Sequence, residues 1–167
     1  MAYLMNKDNK KDIKVLKTSV SSLQDLQSGS FGLVTGGTIS YTPRPSSTYV
    51  YYEFNTMLSY KDTPYATAQF RLRYGPDTSN LASINTNDIH YTIYMGSDGE
   101  LLSYEQEDMV PLKLSFLIPA WEGEKVLALE AKEASSSKEY YLHGIKSSST
   151  GESSDDLFDP FIIVYSY

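Results

Sequence analysis

Residues 66–74 constrain the fold more tightly than any other stretch. Ala66, Ala68, Phe70, Leu72 and Tyr74 fall on one parity, and Gln69, Arg71 and Arg73 fall on the other. A period of two matches a half-buried β-strand and cannot wrap an apolar stripe around a helix. The same alternation recurs at Ile89, Tyr91, Ile93 and Met95, and again at Leu112, Leu114, Phe116 and Ile118. Further strands are expected over 49–60, 125–132, 140–146 and 158–167. Between them stand turn signals: Pro43 and Pro45, Gly75-Pro76-Asp77, Gly96-Ser97-Asp98-Gly99, Glu122-Gly123-Glu124, and a Ser/Gly/acidic loop over 147–156. Seven to nine strands at this spacing predict an all-β, antiparallel β-sandwich, either a jelly roll or immunoglobulin-like. No internal repeat points to a propeller or solenoid.

Residues 1–27 have a different texture. Ile13, Leu16, Val20 and Leu23 lie three, four and three apart, the spacing of a short helical seam, although Ser19, Ser21 and Ser22 are poor helix formers. A two-part organisation is therefore expected: a basic N-terminal arm over 1–27, extended or briefly helical, and a β-sandwich domain over 28–167. Charge supports the division. Lys7, Lys10, Lys11, Lys14 and Lys17 outweigh Asp8 and Asp12 to give residues 1–17 a balance of +3, while residues 18–167 carry −10. A basic tail on an acidic body suits docking on an acidic surface, and those five lysines are the candidate docking residues. Nucleic acid is not expected as a partner, because the arm holds no arginine and Arg44, Arg71 and Arg73 form no basic stripe.

Few chemistries find their residues here. There is no cysteine, so thiol catalysis and thiolate metal sites are out of reach. His90 and His143 are the only histidines, and neither has a second ligand at metal spacing. No Gly-x-Ser-x-Gly elbow is present, and Gly36-Gly37 lacks the lysine of a phosphate loop. Glu53, Glu105, Glu107 and Asp108 could in principle pair across a cleft, but solvated charge accounts for them. The expectation is a non-enzymatic protein without metal or cofactor. The N-terminus shows no apolar signal-peptide core, and no apolar run is long enough to cross a bilayer as a helix. Synthesis in a cytoplasm without membrane insertion is expected.

What remains is surface. Tyrosine is over-used, at 15 against 6 Phe and 1 Trp, and it suits interfaces that are apolar on one side and wet on the other. The C-terminal stretch is the most apolar in the chain. Phe161, Ile163, Tyr165 and Tyr167 share one parity, and Ile162 and Val164 share the other. A strand apolar on both faces must be covered on both, so these six residues are the candidate oligomer interface.

The N-terminal sequence 23–32 (LQDLQSGSFG), the strand 70–75 (FRLRYG), the segment 123–131 (GEKVLALEA) and the apolar C-terminal strand together resemble the small trimeric jelly rolls of viral and phage particles. These have the tumour-necrosis-factor-like fold found in head fibres, decoration proteins and tail-fibre tips. The resemblance spans about residues 28–167 and implies a homotrimer. It further implies an N-terminal anchor on other virion proteins, and an outer end that could touch a host glycan or receptor. It brings no catalytic residues. The leading expectation is a structural or attachment protein of a virion. The alternative is a carbohydrate-binding module or adhesin-like domain, for which Trp121, Tyr140 and Tyr141 are the candidate aromatic row.

Overall fold

The computed structural model describes residues 12–26, 29–61, 65–83, 90–96, 108–133, 139–145 and 156–167. All regular structure among them is strand: β1 Lys14–Lys17, β2 Gln24–Asp25, β3 Gly32–Tyr41, β4 Tyr49–Lys61, β5 Tyr65–Gly75, β6 Ala82–Ser83, β7 His90–Gly96, β8 Asp108–Pro119, β9 Lys125–Glu133, β10 Glu139–Leu142, β11 Gly144–Ile145, β12 Asp156–Leu157 and β13 Phe161–Ser166. Every pairing is antiparallel. The architecture is a sandwich of two main sheets, as the alternation predicts, with β11 and β12 forming a separate two-stranded pair.

The first sheet is organised by β4. One edge of β4 pairs with β8 from Tyr49 to Tyr60, and the other is shared by β13 over Val50–Asn55 and β10 over Leu58–Lys61. β1 extends the sheet beyond β13, and β2 extends it beyond β10. Where the two halves meet, His143 N donates to Met57 O at 2.9 Å, and His143 takes a positive φ of 77°. The second sheet runs β3-β9-β5, with β7 and β6 sharing the far edge of β5. Alternate residues of both sheets meet between them. Val50, Tyr52, Phe54, Leu58, Phe116, Ile118, Ile162 and Val164 face Phe70, Leu72, Leu127 and Leu129, all essentially without solvent contact. Each such side chain contributes about 1.5–3 kcal/mol by leaving water. Tyr52 crosses the core and donates its hydroxyl to Gly37 O at 2.8 Å. Burial pushes its pKa well above the ordinary value.

Of the expected arm, residues 12–26 lie against the sandwich in extended form, and residues 1–11 lie outside the described residues. Residues 14–17 form an edge strand on β13, with Val15 opposite Ile163 and Leu16 opposite Ile162, and residues 24–25 pair with β10. Gln24 fastens the segment to β3, donating to Leu33 O at 2.6 Å and accepting from Thr35 N at 2.7 Å. Leu26 is buried in the core. The helical spacing of Ile13, Leu16, Val20 and Leu23 is overruled for a physical reason. A helix this short is marginal in water, whereas the open edge of β13 supplies hydrogen-bond partners at once. A bulge in β3 receives the segment: with φ of 70°, Gly36 lies so close that a Cβ would stand 2.6 Å from Pro160 Cγ and 3.1 Å from Thr18 Cβ.

Candidate binding face

The outer side of the first sheet is built by register. Val15, Ile163, Glu53 and Ser115 stand in one row across β1, β13, β4 and β8. Tyr165, Tyr51 and Leu117 form the next row, and Phe161, Asn55 and Lys113 lie on the other side. Tyr167 pairs with Tyr49 through two backbone bonds of 3.1 Å and extends the face to the sheet end. Four tyrosines therefore adjoin. The ring centroids are 4.9 Å apart for Tyr51 and Tyr165, 6.1 Å for Tyr165 and Tyr167, and 6.0 Å for Tyr49 and Tyr167, with planes inclined by 33–39°. The margin is open to water: Val15 is 61% exposed, Tyr167 52% and Leu117 49%.

A polar network sits beside these rings. Glu53 accepts from Tyr51 Oη at 2.6 Å, Asn55 Nδ2 at 3.0 Å and Lys113 Nζ at 2.8 Å, and Tyr51 Oη lies 3.0 Å from Ser115 Oγ. Burial alone would raise the Glu53 pKa. The bonds from Lys113, Tyr51 and Asn55 outweigh it and hold the carboxyl below its ordinary value. Burial, with the bond to Glu53, raises the Tyr51 hydroxyl. The face thus sets tyrosine rings beside a carboxylate on its central strand that is neutralised from within.

The outer side of the second sheet is charged. Arg71 Nε meets Glu130 Oε2 at 2.5 Å, and Arg73 Nη1 lies 3.8 Å from Glu130 Oε1. The Arg71 guanidinium also covers the Phe31 ring at 4.1 Å, with Lys132 Nζ 4.8 Å from the same ring.

Of the candidate docking residues, Lys7, Lys10 and Lys11 lie outside the described residues. Lys14 Nζ donates to Ser40 O at 2.9 Å, and Lys17 pairs with Asp159 at 3.3 Å. Both therefore hold β1 to the body of the same chain, in addition to any docking role. Asp159 also accepts from Val20 N at 3.1 Å, and these bonds lower its pKa. The six candidate interface residues divide. Ile162 and Val164 are sealed in the core of the single chain and are withdrawn as interface residues, because they face the second sheet. Phe161, Ile163 and Tyr165 point outward and are half-buried, and Tyr167 is exposed. Tyr49, Tyr51, Leu117 and Val15 share that face and were not anticipated. The alternation of Tyr49, Tyr51, Glu53 and Asn55 was the available signal, but only pairing with β13 and β8 shows which parity is outward.

The aromatic row expected of a carbohydrate module does not form as anticipated. Tyr140 and Tyr141 are buried. Trp121 instead stacks on Tyr74, with centroids 5.6 Å apart and planes 8° apart, and Lys125 Nζ lies 4.1 Å from the Tyr74 centroid. Of the histidines, the side chain of His90 lies outside the described residues. His143 is fully buried, its Nδ1 2.9 Å from Thr56 Oγ1, and burial lowers its pKa to about 4.

No protein-family model matches the chain, and no curated protein matches it either. Among solved structures, it is similar to latent PorU from Porphyromonas gingivalis, at 11% identity and a TM-score of 0.41. That match covers 93% of this chain but only 12% of PorU. It is similar to the sugar-binding C-terminal domain of EclA, at 13% identity and a TM-score of 0.35, covering 76% of this chain and 79% of that one. Infectious bursal disease virus, Gx strain, gives 8% identity and a TM-score of 0.29, covering 95% of this chain and 36% of that one. All three scores lie below 0.5.

Proposed function

We propose that the chain is a structural or attachment protein of a virus or bacteriophage particle, a capsid-decoration, head-fibre or tail-fibre component that works by surface binding and not by catalysis. In this reading the sandwich is a jelly roll of the tumour-necrosis-factor-like kind, the subunits form a homotrimer, and the N-terminal lysines dock on other virion proteins. The observation that carries the binding role is the outer face of the first sheet, where four adjoining tyrosines and an exposed aliphatic margin stand on rigid strands. Tyrosine and other aromatics are the residues that dominate binding surfaces, being large and rigid with a polar tip. The non-catalytic part is supported by His143, which is sealed from solvent and held neutral. It can neither reach a substrate nor exchange protons with one.

The test is peptide mass spectrometry of purified particles of the virus that encodes the chain, with and without salt washing. The protein is expected at a fixed copy number per particle and to be released by salt, since exposed lysine contacts are screened within about 8 Å at physiological ionic strength. Absence from purified particles overturns the virion reading. A second reading, a carbohydrate-binding module, is favoured by one observation: the same tyrosine rings flank hydrogen-bonding groups on Glu53, Asn55 and Lys113.

A further inference from the structure

We infer that the outer face of the first sheet, centred on Tyr51, Ile163 and Tyr165, is closed by the same face of another copy of this chain around a symmetry axis. This rests on the assembly part of the proposal above and not on its virion part.

Four observations favour a second copy over other occupants. The first is the arrangement of residue types. Aromatic and aliphatic side chains are contiguous from Val15 and Ile163 through Tyr165 and Tyr51 to Leu117, and the polar groups Glu53, Ser115, Asn55 and Lys113 fill one adjoining corner over β4 and β8. A contiguous apolar patch bordered by polar groups is common in protein interfaces. A sugar site needs its hydrogen-bonding groups available to hydroxyls, whereas Glu53 here already accepts from three side chains.

Charge is the second. The whole chain carries −7, which sets copies of it against one another. This face is an exception, since Glu53 is paired with Lys113 and Asp159 with Lys17. Copies can meet here with little repulsion, and a partner of opposite charge would find nothing to pair with.

The third is size. From Tyr49 to Met57 the face runs about 27 Å along β4 and β8, while β13 borders it only as far as Asn55 and β1 only over four residues, which gives about 400 Å² in projection. Side-chain relief raises the accessible area above that figure, toward the ~800 Å² per partner of a standard specific interface.

The fourth is what the chain does with its nearest alternative. The open edge of β1 could pair with a strand of another molecule, but Lys14 and Lys17 stand on it, and lysines on edge strands oppose edge-to-edge pairing. That edge is thereby disfavoured as a contact between copies.

Sedimentation equilibrium of the full chain at micromolar concentration tests the inference, with three variants run beside the wild type. Tyr165→Asp and Leu117→Asp put an unpaired carboxylate at the centre and at the margin of the face, while Thr92→Asp does so on an exposed position of the second sheet. Wild type and Thr92→Asp are expected to sediment as the same oligomer, a dimer or trimer. Leu117→Asp and Tyr165→Asp are expected to run as monomers with the wild-type circular dichroism spectrum. Leu117 is already half exposed, so Leu117→Asp stays informative if Tyr165→Asp fails to fold. A monomeric wild type overturns the inference, and so does an oligomer that survives Leu117→Asp. A monomeric wild type that binds a glycan array, with binding lost in Tyr165→Ala, would give the face to a sugar. An oligomer that is absent from particles would leave this inference standing and remove the virion reading.

Discussion

The two outer faces of the sandwich solve the same problem in opposite ways. On the second sheet, Arg71, Arg73, Glu130, Phe31 and Lys132 are bound to one another, so this part of the face is covered from within one chain. On the first sheet the charges are likewise cancelled internally, but tyrosine rings and aliphatic side chains remain open to water. Both faces lie over the same core and use the same alternation. The difference teaches that a strand's outward parity is not simply its polar parity. An outward residue is chosen by what must cover it, and here one cover is a set of side chains while the other is proposed to be a second molecule.

The sharpest way to break this comparison is to turn to the inward parity of the strand that carries the open face. Ile162→Asp is expected to cost more than about 4 kcal/mol, because it buries an unpaired carboxylate in an apolar core. Urea unfolding should read this as loss of the fold itself, unlike the outward variant Tyr165→Asp. Similar losses from the two would mean that β13 is covered on both sides within one chain.

Acid should single out the first sheet next. The His143 pKa is lowered from 6.5 to about 4 by burial, so the unfolded chain takes up a proton that the folded chain refuses. Stability from this group is full above about pH 6.5, falls as the pH drops, and stops falling below about pH 4. The whole effect is at most about 3 kcal/mol, at about 1.4 kcal/mol per pH unit. Thermal melts at pH 7 and pH 4.5 check it. His143→Asn tolerates the positive φ and should flatten the profile.

The smallest effects compare the charged networks of the two faces. Glu130→Ala removes the carboxylate that Arg71 and Arg73 share and should cost about 1–3 kcal/mol. Lys113→Ala on the other face should lower the melting temperature less, since Lys113 is 61% exposed and Glu53 keeps its bonds from Tyr51 and Asn55. The reverse order would mean that the first sheet, not the second, depends on its surface charges.

Much of the fold is legible in the sequence because strand alternation is a local signal. Phe70 and Leu72 face inward and Arg71 outward as the pattern of residues 66–74 requires, and the 112–118 alternation gives the inward face of β8. The pairing of Arg71 with Glu130 was not legible, because it joins residues of two strands whose register depends on the whole sheet. The candidate face was half legible for the same reason. Apolar residues on both parities of β13 announce that both sides are covered, but they do not say which side is core.

By itself, then, the sequence determined that this chain is an antiparallel β-sandwich with a two-faced C-terminal strand, because a period of two and the turn residues act over a few positions. Only the tertiary structure decided that residues 14–17 of the basic segment form an edge strand and not a helix. It also put Ile162 and Val164 inside with Phe161, Ile163 and Tyr165 outside, and brought Tyr49 and Tyr51 beside Tyr165 and Tyr167. Those outcomes rest on hydrogen bonds and contacts between residues more than a hundred positions apart, such as Val15 with Ile163 and Tyr51 with Tyr165. A hydrophobic pattern says that a face must be buried, and only the register of its neighbours says against what.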